Sequence, residues 1–146
     1  MLVRTGSAIW EGNLKEGKGT LGLGSGAFKG AYSFTSRFEQ GGGTNPDELL
    51  AAAHASCFSM ALAHGLDQAG HKPKRVSTTA KVHLEKGAAG FSITLIELNL
   101  EAEVPGINER TFMEQAQKAK AGCPVSRALA ATEIKLNAKL LAASGA

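Results

Sequence analysis

The sequence predicts an α+β fold with a mainly antiparallel sheet. Three observations carry that reading. Short strand-like runs separated by glycine-rich turns fill the first third. Two capped segments, beginning near Asn45 and Asn108, read as helices, and alternating runs at 76–104 and 133–141 read as strands. The 146 residues suffice for a real core, and 1–146 is taken as one domain.

The elements follow in order. "GSAIWEGN", "GKGTLGLGSG" and "FKGAYSFTSRF" are the runs of a β-meander, and "EQGGGTNP" breaks the pattern. A helix starts sharply at "TNPDELL". Asn45 can cap it, Pro46 suits its first position, and Asp47 and Glu48 complement its positive end. Glu48 lies three residues past Asn45, close to a capping box. The helix should reach about Gln68 and stop at Gly70.

"VSTTAKVHLEK" alternates, with Val76, Thr78, Ala80, Val82 and Leu84 on one face. "GAAG" turns the chain, and "FSITLIELNLEAEV" returns. Its apolar phase slips from Phe91, Ile93 and Leu95 to Ile96, Leu98 and Leu100, so a β-bulge is expected near Leu95–Ile96. "NERTFMEQAQKAKAG" is a second helix, capped by Asn108 and stopped by Gly122. "EIKLNAKLL" closes as a strand with Ile134, Leu136, Ala138 and Leu140 on one face.

Composition excludes some functions. The net charge of +3 is mild, and lysines are interleaved with acids rather than gathered into a stripe, so no nucleic-acid partner is expected. No apolar run approaching the roughly 20 residues of a membrane span is read, and "MLVRTGSAIWEGN" has no long apolar core of a signal peptide. No membrane association and a cytoplasmic location are the default expectations.

Two cysteines, Cys57 and Cys123, stand far apart and form no CxxC motif. Cys57 shares a helix face with Ala53, His54, Met60, Ala61 and His64. Cys123 follows Phe112, Ala116 and Ala119 at spacings of eleven, seven and four, on a face that should be buried. Pro124 suits the first position of a new short helix, which makes Cys123 its N-cap, a place that favours a thiolate. Free cysteine is also among the most buried residue types, so inert core thiols and a redox pair both remain open. His54, Cys57 and His64 could hold a metal, but no fourth ligand is indicated and no metal is expected. A Cys57–His54 hydrolase lacks an orienting third residue and an oxyanion-hole signature.

"TNPDELLAAAHASCFSMAL" and "KAKAGCPVS" together resemble the OsmC/Ohr family, the osmotically inducible protein C and organic hydroperoxide resistance proteins. "GSAIWEGNLKEGKGT" and "FTSRFE" look like its OsmC branch, and the similarity runs in order over nearly the whole chain. The resemblance implies a thiol peroxidase that reduces organic hydroperoxides, and hydrogen peroxide less readily, to alcohols. It implies an intertwined homodimer with two central helices carrying the cysteines and active sites at the subunit interface. No cofactor is implied. A dithiol reductant, of lipoyl type, is.

Carried over by motif, the peroxidatic cysteine falls on Cys57, the resolving cysteine on Cys123 and the active-site arginine on Arg37. The acid falls on Asp47, where the hydroperoxide-resistance branch carries Glu; Glu48 next to it is the other candidate. Asp47 lies ten residues, about 15 Å of helix, from Cys57, and Glu48 points almost opposite to Cys57. Asp47 is therefore favoured, although neither acid reaches Cys57 within its own helix. Arg37 is expected to lower the Cys57 pKa. Phe58, Met60, Phe112 and Met113 are candidates for an alkyl pocket, or simply for the core. The alternative to a peroxidase is a non-catalytic stress-related ligand-binding protein of the same fold.

Overall fold

In the computed structural model, which describes residues 1–142, the chain divides into two units, Met1–Leu49 and Leu50–Ala146, each with its own three-stranded sheet. In the first, β1 (Gly6–Glu11), β2 (Lys18–Leu23) and β3 (Lys29–Tyr32) run antiparallel in that order. Gly19 pairs with both Trp10 and Tyr32, whose rings meet at 5.4 Å between centroids. A Cβ on Gly19 would come within 2.5 Å of the Tyr32 ring, so only glycine lets the two aromatics close over this strand.

The run "FKGAYSFTSRF" is not one strand. After β3 it turns into a short helix, α1 (Phe34–Phe38). Ser33 and Ser36 form its capping box: the Ser33 hydroxyl accepts from Ser36 N–H, and the Ser36 hydroxyl accepts from Ser33 N–H. That local bonding overrides the strand reading and places Arg37 on a helix.

Helix α2 (Pro46–Gln68) begins where the capping signals put it. Asn45 Oδ1 accepts from Glu48 N–H at 2.7 Å, and Gly70 follows the helix at φ +87°. By length and composition α2 is long and apolar enough to cross a membrane, which corrects the reading that no such run exists. Its acids Asp47, Glu48 and Asp67 are confined to its ends, leaving no Asp, Glu, Lys or Arg between. A core helix passes the same test. Here His54, Phe58, Leu62 and Leu66, spaced by four, are wholly buried on one face.

In the second unit β4 (Arg75–Gly87) and β5 (Gly90–Glu103) form the expected hairpin, and β6 (Glu133–Leu140) joins the far side of β5. The β5–β6 pair is parallel, so this sheet is mixed. Parallel pairing needs a crossover, supplied here by α3 (Glu109–Gly122) and α4 (Pro124–Ala128). The ladder skips Thr94, the extra residue of the bulge, because His83 pairs with Leu95 and Leu84 with Ile93.

Three-residue rows result. Ile96 lies between Val82 and Ile134, Leu98 between Ala80 and Leu136, and Leu100 between Thr78 and Ala138. These rows join Phe58, Leu62 and Leu66 from α2 and Phe112, Ala116 and Ala119 from α3 in one core. Each fully buried Leu, Ile or Phe stabilises that core by roughly 1.5–3 kcal/mol.

Candidate active site

In the first unit the chain gathers around the start of α2. Ser36 Oγ donates to Thr44 O at 2.7 Å, and Asn45 Nδ2 donates to Ser36 O at 3.0 Å. These bonds hold α1 so that Arg37 meets Asp47. Arg37 Nε donates to Asp47 Oδ2 at 3.1 Å and Nη2 to Oδ1 at 3.4 Å. The contact is a two-point fork, the strongest way a guanidinium and a carboxylate meet. Asp47 is buried, while the Arg37 side chain stays 35 % exposed and lies 5.3 Å from the Phe38 ring centre. Glu48 is occupied differently: its Oε2 accepts from Thr44 Oγ1 at 2.7 Å. Of the two acids, Asp47 holds the arginine.

In the second unit α2 and the start of α4 bring both thiols together. Cys123 is the N-cap of α4, with Pro124 at the first helical position. Its Sγ accepts from Ser126 N–H at 3.3 Å and lies 3.1 Å from Ser126 Oγ, to which it donates. The side chain is 1 % exposed. Cys57 is half-buried on α2 and hydrogen-bonds to Cys123, and both cysteines are free.

Three effects act on the Cys57 thiol. Burial, the largest, pushes its pKa up; a hydrogen bond from the Val125 backbone pulls it down; the Cys123 thiol pushes it up. The end of one short helix thus serves both sulfurs, through Val125 for Cys57 and Ser126 for Cys123.

His54 completes this cluster. Its ring is wholly buried, and Nε2 lies 2.7 Å from Ser126 Oγ. Burial lowers its pKa and so favours the neutral ring. His64, ten residues on, is exposed, and among the described residues no three His, Cys, Asp or Glu side chains converge to hold a metal. Phe58 and Phe112 are core residues, Met113 is partly buried against that core, and Met60 is exposed.

The site residues thus fall into two pairs: Arg37 with Asp47, and Cys57 with Cys123. Ser126 and the Val125 N–H escape sequence reasoning. The signal for Ser126 is its place three residues after a cysteine N-cap, where a hydroxyl can turn back to the cap. Chemically, the second cluster is a reduced dithiol with one sulfur buried and the other half-buried, and with peptide N–H groups aimed at both.

The chain is similar to known proteins over most of its length. The family model described as OsmC-like protein matches residues 39–139, a span that runs through both units. The chain is 53% identical over 138 residues to a peroxiredoxin OsmC of Escherichia coli, covering 94% of this chain and 96% of that protein. It is 36% identical over 89 residues to an organic hydroperoxide resistance protein of Xanthomonas axonopodis, covering 60% of this chain and 61% of the other. A crystal structure described as an organic hydroperoxide resistance protein OsmC from Legionella pneumophila aligns with TM-score 0.73 and 27% identity, covering 95% of this chain and 99% of that one.

Proposed function

This chain belongs to the OsmC-like protein family, and we propose that it is a thiol-dependent peroxidase that reduces organic hydroperoxides to alcohols in stress defence. The observation that carries this reading is the adjoining pair of free thiols, Cys57 and Cys123, set at one helix start. The peroxiredoxin and hydroperoxide-resistance names of its relatives support it.

Cys57 attacks a peroxide oxygen as a thiolate; the O–O bond breaks, the alkoxide leaves and is protonated to the alcohol, and Cys57 becomes a sulfenic acid. Cys123 then attacks that sulfur, water leaves, and a Cys57–Cys123 disulfide forms. Closing the disulfide protects Cys57 from irreversible over-oxidation. A dithiol of lipoyl type restores both thiols by exchange.

Burial raises the Cys57 pKa, so a thiolate near neutral pH needs a cation. Arg37, oriented by Asp47, fills that role across the subunit interface of a homodimer and also stabilises charge on the peroxide oxygens. Assembly is supported by exposed apolar side chains on the first unit, among them Val3, Ile9, Leu14, Leu23 and Phe28. Two free thiols suit a reducing, cytoplasmic compartment.

The deciding experiment is intact mass and free-thiol count after one equivalent of cumene hydroperoxide. Loss of two hydrogens and both thiols, with the chain monomeric in denaturant, is the expected result. Two free thiols beside unconsumed peroxide would overturn the assignment.

A further inference from the structure

His54 stands in a place where the fold asks for an apolar side chain. It opens the stripe His54, Phe58, Leu62 and Leu66, and every member is fully buried. A polar ring there costs desolvation. The cost is only partly offset, since Nε2 has a partner and Nδ1 has none among the described residues. Packing therefore does not account for histidine at this position.

The hydrogen bonds give the ring a direction. Cys123 Sγ donates to Ser126 Oγ at 3.1 Å. The Ser126 hydroxyl proton is then free to point to His54 Nε2, 2.7 Å away. That arrangement requires Nε2 to be bare and the ring proton to sit on Nδ1. A continuous path runs from the Cys123 thiol through one hydroxyl to a neutral imidazole.

We propose that Ser126 and His54 form a proton relay that activates Cys123 for disulfide closure, with Ser126 touching the reacting sulfur and His54 positioning and polarising Ser126. The proposal rests on the peroxidase reading above. Cys123 is 1 % exposed, so a base in bulk water does not reach its proton, and the thiol itself is a poor nucleophile.

In the relay, the Cys123 proton passes to Ser126 Oγ as the Ser126 hydroxyl proton passes to His54 Nε2. Cys123 Sγ attacks the sulfenic sulfur of Cys57; the S–S bond forms and the S–O bond breaks. The Cys57 sulfur is reduced and the Cys123 sulfur oxidised. The departing hydroxide takes up the proton and leaves as water. Because burial keeps the imidazole reluctant to hold a charge, the proton is returned readily and the site resets neutral.

The test is a quenched-flow single turnover with cumene hydroperoxide, read by intact mass. Gain of one oxygen reports the sulfenic acid; loss of two hydrogens reports the disulfide. In Ser126→Ala and in His54→Gln the ratio of the closure rate to the sulfenic-formation rate is expected to fall by about a hundredfold. Glutamine can still bond Ser126 but cannot take its proton, and Ser126→Thr, which restores the hydroxyl, should recover the ratio. A ratio unchanged in Ser126→Ala, or a loss that Ser126→Thr does not restore, overturns the relay while leaving the peroxidase reading intact. Wild-type protein that forms neither product overturns both.

Discussion

Arg37 and Asp47 meet through two parallel bonds, at 3.1 and 3.4 Å, although ten residues separate them. The fork fixes the plane of the guanidinium as well as its position. Arg37→Lys keeps the charge and loses the plane, so kcat/KM for cumene hydroperoxide should fall about tenfold or more. Asp47→Asn should cost a similar factor, because the fork loses its charge. Glu48→Gln should cost far less, since Glu48 bonds Thr44 instead. Equal losses at 47 and 48 would remove Asp47 from its assigned role.

The two cysteines should separate cleanly by product. Cys57→Ser should consume no hydroperoxide above background. Cys123→Ser should gain one oxygen on Cys57 and, with excess peroxide, proceed to the sulfinic acid. Mass spectrometry of the peptide carrying Cys57 distinguishes these states. Oxygen gained first on Cys123 would reverse the assignment.

Stability in acid should report the burial of His54. Its folded pKa lies below the ordinary 6.5. Between the two values the unfolded chain binds a proton that the folded chain refuses. The His54 contribution is thus whole above pH 6.5 and lost progressively as pH falls toward the folded pKa. One such group gives a slope of at most about 1.4 kcal/mol per pH unit. Urea denaturation of His54→Gln across the same range should show a flatter pH dependence than the wild type. An identical slope would mean that the imidazole is accessible to protons in the folded state.

The turn before α2 depends on one glycine. Gly43 has φ +101°, and a Cβ there would lie 2.7 Å from Ala31 O. Gly43→Ala should destabilise by about 1–3 kcal/mol. Gly42→Ala next to it meets nothing within 4 Å, so it should be close to neutral in the same thermal melt.

Much of this architecture is legible in local sequence. Caps at Asn45 and Asn108 are short-range chemistry and sit where their residue types place them. The slipped phase of 91–100 announces a bulge, though phase tells where the pattern has already changed, and the extra residue is Thr94 just before. The two-residue period of β6 tells which face is buried but not which way the strand runs, so its parallel pairing is invisible. The helix α1 hides because Phe34 and Phe38 read as strand residues, and the two serines that cap it carry the only signal. At the site, both thiols and the arginine stand out by type. The Ser126–His54 contact, between residues 72 apart in sequence, exists only once the core has brought α2 and α4 together.

The far face of the β4-β5-β6 sheet has a consequence for solubility. In that order β6 is an outer strand, and its exposed positions are Glu133, Lys135, Asn137 and Lys139. An outer strand offers unpaired peptide groups to any passing chain, which is how ordered aggregation begins. Two lysines on every copy set like charges against each other when a second β6 approaches in register. The same alternation that turns Ile134 and Leu136 toward the core therefore acts as a gatekeeper. Replacing Lys135 and Lys139 by apolar residues would leave the fold's interior untouched and turn this strand into a template for fibrils.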